Sequence, residues 1–331
     1  MANLAHKQVP NNTLRIRSIK HLSITLAFPA QTLTDLGENA SKHYREFSRD
    51  VKGKKRDLIS PTGKLRAVQR RILDRILMRL PHSDSSYGTI RGKTIRDNTL
   101  VHSKSSHIVK LDIKGFYPSI RSDRVYQFFV DDQGCSPDVA RILTKLTTYK
   151  YAVPLGTSTS PMLADQIVNK IDKRILGMSC KAGFKYTRYV DDITISASFP
   201  LERFISLILK ILKQSGFKAK KEKLVVYCPG GEDEERIITG VRVVNGKISA
   251  PSSYVQILEN DLNDALAQSK HRTLTHEFMT RQHYRGQIGY VMWLDKKLGS
   301  KLLRLYRKVE WRHLEWMQDT AYQDSISSLG N

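Results

Sequence analysis

Long apolar runs are missing from this chain of 331 residues. No stretch approaches the roughly 20 apolar residues of a membrane-spanning helix. Met1 to Pro10 lacks the apolar core of a secretory signal. A cytoplasmic protein with no membrane partner is therefore expected. Cysteine is scarce as well: Cys135, Cys180 and Cys228 stand far apart, in neither a disulfide framework nor C-x-x-C metal spacing. They read as reduced thiols. Signatures of several other chemistries are also missing. Gly88-Thr89-Ile90-Arg91-Gly92-Lys93-Thr94 has one residue too few between its glycines for a phosphate-binding loop, and no H-E-x-x-H or G-x-S-x-G occurs. No internal repeat recurs at a period of about 20 to 50 residues.

Acid is the other shortage. Lys and Arg total 55 against 32 Asp and Glu, a net charge of +23. A surface so basic attracts polyanions, and phosphodiester backbones fit best once the membrane is set aside. Hydrophobic residues make up 40% and recur periodically, so this is a folded protein rather than a disordered basic tail. The length suffices to bury a core without disulfides or a structural metal.

The first thirty residues are weakly patterned, and helix signals begin at Gln31–His43. Tyr44–Val51 and Leu58-Ile59 flank the basic turn Lys52 to Arg56, which predicts a hairpin. From Lys64 to Leu80 apolar residues mark one helix face, while Arg66, Arg70, Arg71, Arg75 and Arg79 mark the other. Those arginines suit either a solvated face or a nucleic-acid contact. Ile108–Ile113 reads as a buried strand that delivers Asp112 at its end. Phe184–Val190 and Ile193–Ser196 read as strands joined through Asp191-Asp192, and Arg236–Val243 as one further strand. Helices are predicted at 123–131, 137–149, 158–176 and 200–214, and after Pro251 the periodicity is helical. Strands and helices thus alternate before a basic helical end, which points to an α+β core with a helical lobe.

Two sets of acids sit where simple exposure explains them poorly. Asp112 ends the apolar run Ile108-Val109-Lys110-Leu111, against its β-propensity. Asp191 and Asp192 repel each other at a hairpin tip unless a cation relieves them. Alone, an Asp-Asp pair is explained by turn preference. Combined with Asp112 and the positive charge, the three carboxylates suit two Mg²⁺ ions and phosphoryl transfer.

At this point the sequence resembles a reverse transcriptase, specifically the bacterial retron group. Leu111-Asp112-Ile113-Lys114-Gly115-Phe116-Tyr117-Pro118-Ser119-Ile120 resembles the first catalytic motif, and Arg188-Tyr189-Val190-Asp191-Asp192 resembles the Y-x-D-D motif. Gly156-Thr157-Ser158-Thr159-Ser160-Pro161 resembles the nucleotide-pocket motif, and Gly216-Phe217 through Lys223 the segment beyond. Asn98-Thr99-Leu100-Val101-His102 is similar to the retron N-A-x-x-H motif, with Thr99 for Ala. Ile238-Thr239-Gly240 is similar to V-T-G.

The resemblance implies a right-hand polymerase fold: an N-terminal helical extension at 1–43, fingers and palm at 44–250, and a helical RNA-binding thumb at 251–331. It implies that Asp112, Asp191, Asp192 and the Ile113 carbonyl hold two Mg²⁺ ions, with Mn²⁺ as an alternative. Tyr117, beside Phe116, matches the aromatic that crowds the sugar 2′ position. Arg56 and Arg66 match positions that hold the incoming triphosphate, Gly156 belongs to the pocket, and Lys223 matches the lysine near the leaving pyrophosphate. Leu155 stands where Gln is usual, and Asp165 where Asn is usual.

Implied partners are deoxynucleotides, a structured noncoding RNA that is both template and 2′-hydroxyl primer, its branched RNA–DNA product, and an effector protein in phage defence within the bacterial cytoplasm. Asn98, His102, Thr239, Gly240, Arg304, Arg307 and Lys308 are the expected RNA-binding residues. Tyr290, Trp293, Tyr306, Trp311 and Trp316, interleaved among the C-terminal cations, suit a thumb that grips RNA. Another bacterial reverse transcriptase, of abortive-infection or diversity-generating type, and an RNA-binding scaffold are the alternatives.

Overall fold

The computed structural model describes residues 14–51, 53–229, 235–271 and 279–319. Residues 1–13 and 320–331 of the expected outer domains, and Lys52 of the expected basic turn, lie outside the described residues. Two compact units make up the chain. One comprises the described residues to Thr94 together with His107–Val226; the other comprises Ile95–Ser106 and the described residues from Tyr227 on.

The first unit opens with helices Ile19–Leu26 and Ala30–Glu38. The earlier of these has no clear sequence pattern, yet Ser18 caps it by accepting a hydrogen bond from the His21 N–H, and it buries Leu22 and Leu26. Strands β1 (Tyr44–Val51) and β2 (Lys54–Pro61) form the predicted basic hairpin. Helix Gly63–Arg75 buries Leu65, Val68 and Ile72 and turns Arg66, Arg70 and Arg71 outward. Beneath lies a four-stranded sheet of β3 (His107–Asp112), β4 (Lys185–Tyr189), β5 (Asp192–Ala197) and β6 (Val225–Tyr227), in the order β4-β5-β3-β6. The β5 residues Ile193 to Ala197 are all buried, as befits a strand covered on both faces. Helices Pro137–Thr147, Ser160–Ala182 and Glu202–Gln214 supply much of the apolar core.

In the second unit, the run expected as one strand, Arg236–Val243, is broken in two. Strands β7 (Arg236–Ile238) and β8 (Val241–Val244) flank a two-residue turn in which Thr239 and Gly240 have φ of +50° and +80°. Positive φ at both central residues makes a type I′ hairpin, which matches strand twist. Strand β9 (Lys247–Ser249) completes a three-stranded sheet, and helices Ser252–His271, Arg281–Leu294 and Lys296–Tyr306 follow. Sequence reasoning places domain boundaries at 43/44 and 250/251, whereas the compact units divide at 94/95, 106/107 and 226/227. Among the described residues β7, β8 and β9 bond to one another and to no strand of the β4-β5-β3-β6 sheet, which accounts for the break near 226/227. No helix among the described residues is long and apolar enough to cross a membrane.

Candidate active site

Strand register brings the three acids together. Asp112, the last residue of β3, is the direct antiparallel partner of Asp192, the first residue of β5. Tyr189 pairs with Asp192 across the β4–β5 hairpin, so the turn is Val190-Asp191 rather than the expected Asp191-Asp192. Val190 has φ of +59°, the type II′ pattern, which favours glycine at that position. Holding a β-branched residue there costs on the order of 1–3 kcal/mol. The Ile113 N–H donates to the Asp191 carbonyl at 3.0 Å, which sets the turn against the end of β3.

A further segment runs along the end of β3 on the side away from β5. Lys114 N–H donates to the Lys218 carbonyl at 2.7 Å, and Lys220 N–H to the Asp112 carbonyl at 2.7 Å. This places the Lys220 Nζ 2.8 Å and the Lys223 Nζ 2.6 Å from Asp112 Oδ2. Burial works to raise the Asp112 carboxyl, but hydrogen bonds and charge from these two lysines outweigh it and hold the group below its ordinary range. Asp191 moves the other way: burial raises it, and the charge of Asp112 adds to the effect. Asp192 is pushed up to about 6, chiefly by burial, with Asp112 and Asp191 adding repulsion.

Among the described residues, no group of three acid, His or Cys side chains converges closely enough to form a metal cage unaided. Asp112 Oδ2 is engaged by lysines instead. The donor chemistry nevertheless fits a hard divalent cation. Three carboxylates share one sheet end, and two of them, Asp191 and Asp192, are held above their ordinary range by burial and by the charge of Asp112.

Tyr117 is half-buried next to the acids, its hydroxyl pushed up to about 12 by burial and then by the charge of Asp191. Phe116 is buried and meets Tyr117 edge-on, with ring centroids 5.2 Å apart. Gly156 lies where strand β2 pairs with the pocket loop: Ile59 N–H donates to the Leu155 carbonyl at 2.8 Å, and a Cβ on Gly156 would stand 2.9 Å from the Ile59 carbonyl oxygen. That backbone pairing uses no amide at position 155. Arg66 is exposed, its guanidinium hydrogen-bonded to the Pro61 carbonyl at the end of β2, while Arg56 is exposed on β2 opposite Arg49.

The expected RNA-binding residues fall into two groups in the second unit. Asn98 and His102 are fully buried on helix Ile95–His102, and the Asn98 amide donates to the Thr239 hydroxyl at 2.6 Å. Both side chains are shut away from the surface, and Asn98 holds the Thr239-Gly240 turn. By contrast, Arg304, Arg307 and Lys308 are exposed, Arg304 in the last turn of helix Lys296–Tyr306 and the other two just past its end. Of the aromatics expected to grip RNA, Trp311 is a core residue, whereas Trp293 and Trp316 are 45% and 62% exposed.

Two features escape sequence reasoning. Lys220 alternates with Lys218 along a segment bonded to β3, but four lysines between 218 and 223 give no hint of which reaches Asp112. Arg188 is wholly buried within β4. Its signal is an arginine in an otherwise strand-like run, the same anomaly that marks Asp112.

A family model for reverse transcriptases (RNA-dependent DNA polymerases) matches residues 42–278. Among curated relatives, the retron Ec86 reverse transcriptase of Escherichia coli is 26% identical, over 90% of this chain and 94% of its own. The retron Mx65 reverse transcriptase of Myxococcus xanthus is 28% identical, over 80% of this chain and 64% of its own. The retron Ec73 reverse transcriptase of Escherichia coli is 24% identical, over 81% and 87%.

Proposed function

The chain belongs to the reverse transcriptase family and groups with the bacterial retron enzymes as an RNA-directed DNA polymerase; from this premise we propose how its residues do the work. The observation that carries the reading is the pairing of Asp112 with Asp192 beside the Asp191 turn. Asp112, Asp191, Asp192 and the Ile113 carbonyl would hold two Mg²⁺ ions. Those ions, when bound, activate the attacking hydroxyl and neutralise the departing pyrophosphate.

The chain's own groups do the rest. Tyr117 flanks the deoxyribose and excludes a 2′-hydroxyl. Lys220 and Lys223 keep Asp112 ionised, and their ammonium groups add positive charge where phosphates arrive. Arg56 and Arg66 hold the triphosphate. In the second unit, the Thr239-Gly240 turn and the exposed Arg304, Arg307 and Lys308 bind a structured noncoding RNA that serves as template and 2′-hydroxyl primer. The product is branched RNA–DNA, and an effector protein joins the complex in phage defence.

The test is synthesis by the purified protein on RNA transcribed from its own neighbouring locus. Radiolabelled deoxynucleotide should enter a product whose DNA remains attached to RNA after denaturation and is released by a debranching enzyme. Extension of an artificial primer–template without such a product would leave the polymerase and remove the 2′-primed reaction, moving the protein to another bacterial class.

A further inference from the structure

The turn that carries Asp191 is strained, and strain of this kind persists only where the surroundings over-determine it. Arg188, fully buried two residues before Val190, supplies such a constraint. Its Nε and Nη2 donate to Asp172 at 2.9 and 2.7 Å, Nη2 also reaches Asp165 at 2.8 Å, and Nη1 donates to the Val190 carbonyl at 2.9 Å. Both acids sit seven residues apart on one face of helix Ser160–Ala182, the helix that follows the Gly156 loop. Ser86 donates to Asp165 and Tyr186 to Asp172, so the carboxylates are themselves fixed.

The other side of the turn is closed by backbone. Arg188 N–H donates to the Ser85 carbonyl and Tyr87 N–H to the Arg188 carbonyl, at 2.8 and 2.9 Å. This brings Gly88 so close that a Cβ there would stand 2.6 Å from the Val190 nitrogen.

We propose that Arg188 is a positioning residue for catalysis, which ties the helix of Asp165 and Asp172 to the Val190 carbonyl and, with Gly88 opposite, fixes where the turn presents Asp191 and Asp192. The proposal rests on the polymerase reading. A guanidinium is needed because its fork serves two carboxylates and a carbonyl at once, whereas lysine offers one point of charge.

The test uses the full chain with an RNA template and a DNA primer ended by a dideoxynucleotide, plus the matching deoxynucleotide, and reads Mn²⁺ binding by electron paramagnetic resonance. Single-nucleotide addition on an extendable primer is measured in parallel. R188K keeps the buried charge but loses the carbonyl bond. It should weaken Mn²⁺ binding several-fold and lower kcat about tenfold, with the deoxynucleotide KM changed less than about twofold. V190G removes the turn strain, so R188K/V190G should recover most of both losses, a coupling that general core damage does not produce. G88A pushes on the same turn from the other side and should reproduce the R188K pattern. Should R188K not fold, G88A and G88A/V190G decide alone. Variants equal to the wild type, no rescue by V190G, or loss of the cooperative melt in G88A would each overturn the proposal. Absence of Mn²⁺ binding and extension in the wild type would instead sink the polymerase reading.

Discussion

Asp112 and Asp192 are directly opposed across antiparallel strands β3 and β5. Opposed residues share a face of the sheet, and like charges in that position destabilise it. Folding alone gives no reason to keep two acids there, with a third in the adjoining turn. A function that needs converging negative charge does.

Replacing either Asp191 or Asp192 with Asn should therefore abolish DNA synthesis, a loss on the order of 10³-fold or more for a group that acts on transition-state charge. RNA binding should survive, because the exposed cations lie elsewhere in the chain. Primer extension and a filter-binding assay on the same preparation separate the two. Normal polymerisation with Mg²⁺ present would remove both acids from the catalytic role.

Acid stability gives an independent check on the buried network. Burial works to raise Asp165, but the His82 ring 3.7 Å away, the charge of Arg188 and the hydrogen bonds from Ser86 and Arg188 outweigh it and hold its carboxyl at about 2, below an ordinary 3.8. A depressed folded value means that the stabilisation is present above about pH 4 and is lost as pH falls toward 2. D165N should flatten that part of the acid-melting profile relative to the wild type. Its activity near neutral pH should stay within a few-fold, since the asparagine oxygen still accepts from Arg188 and Ser86. Parallel acid limbs for the two proteins would show that Asp165 carries no such linkage.

The acids were legible because each broke a local rule, an anion ending an apolar strand or two anions side by side. The hairpin turn lies one residue earlier than its pattern suggests because Val190 opposes the positive φ it adopts, and no glycine or asparagine marks the position. The break within 236–243 is hidden for a different reason: Thr239-Gly240 is a weak turn signal inside an apolar run, and the buried Asn98 bond supports it. That bond spans 141 residues, and pattern reading along the chain cannot see it. Arg188 was legible in kind, but its partners on a helix two turns apart appear only after folding.

Tyr117 makes a sharp claim about sugar choice. Its ring meets buried Phe116 edge-on, and the charge of Asp191 reaches its hydroxyl. Y117A opens the space a 2′-hydroxyl needs, so the preference for deoxynucleotides should fall by about tenfold or more. Competition between dGTP and GTP on one template measures it. An unchanged ratio would assign Tyr117 to packing alone.

The last expectation concerns how the second unit holds RNA. Arg304, Arg307 and Lys308 lie exposed in the last turn of helix Lys296–Tyr306 and just beyond it, where phosphate contact is the natural use of three neighbouring cations. Such contacts release counterions, so each one removed should lower the slope of log affinity against log salt by about 0.7 to 0.9. The triple alanine variant should thus show a slope shallower by about two to three, with weaker binding to all RNAs alike. The exposed Trp293 and Trp316 differ, because a ring stacks on unpaired bases and carries little salt dependence. Replacing either with Ala should weaken binding to the cognate stem-loop more than to a duplex of equal length and leave the salt slope unchanged. If the triple variant keeps the wild-type slope, those cations do not touch phosphate, and the basic face of helix Gly63–Arg75 becomes the stronger candidate for the electrostatic contact.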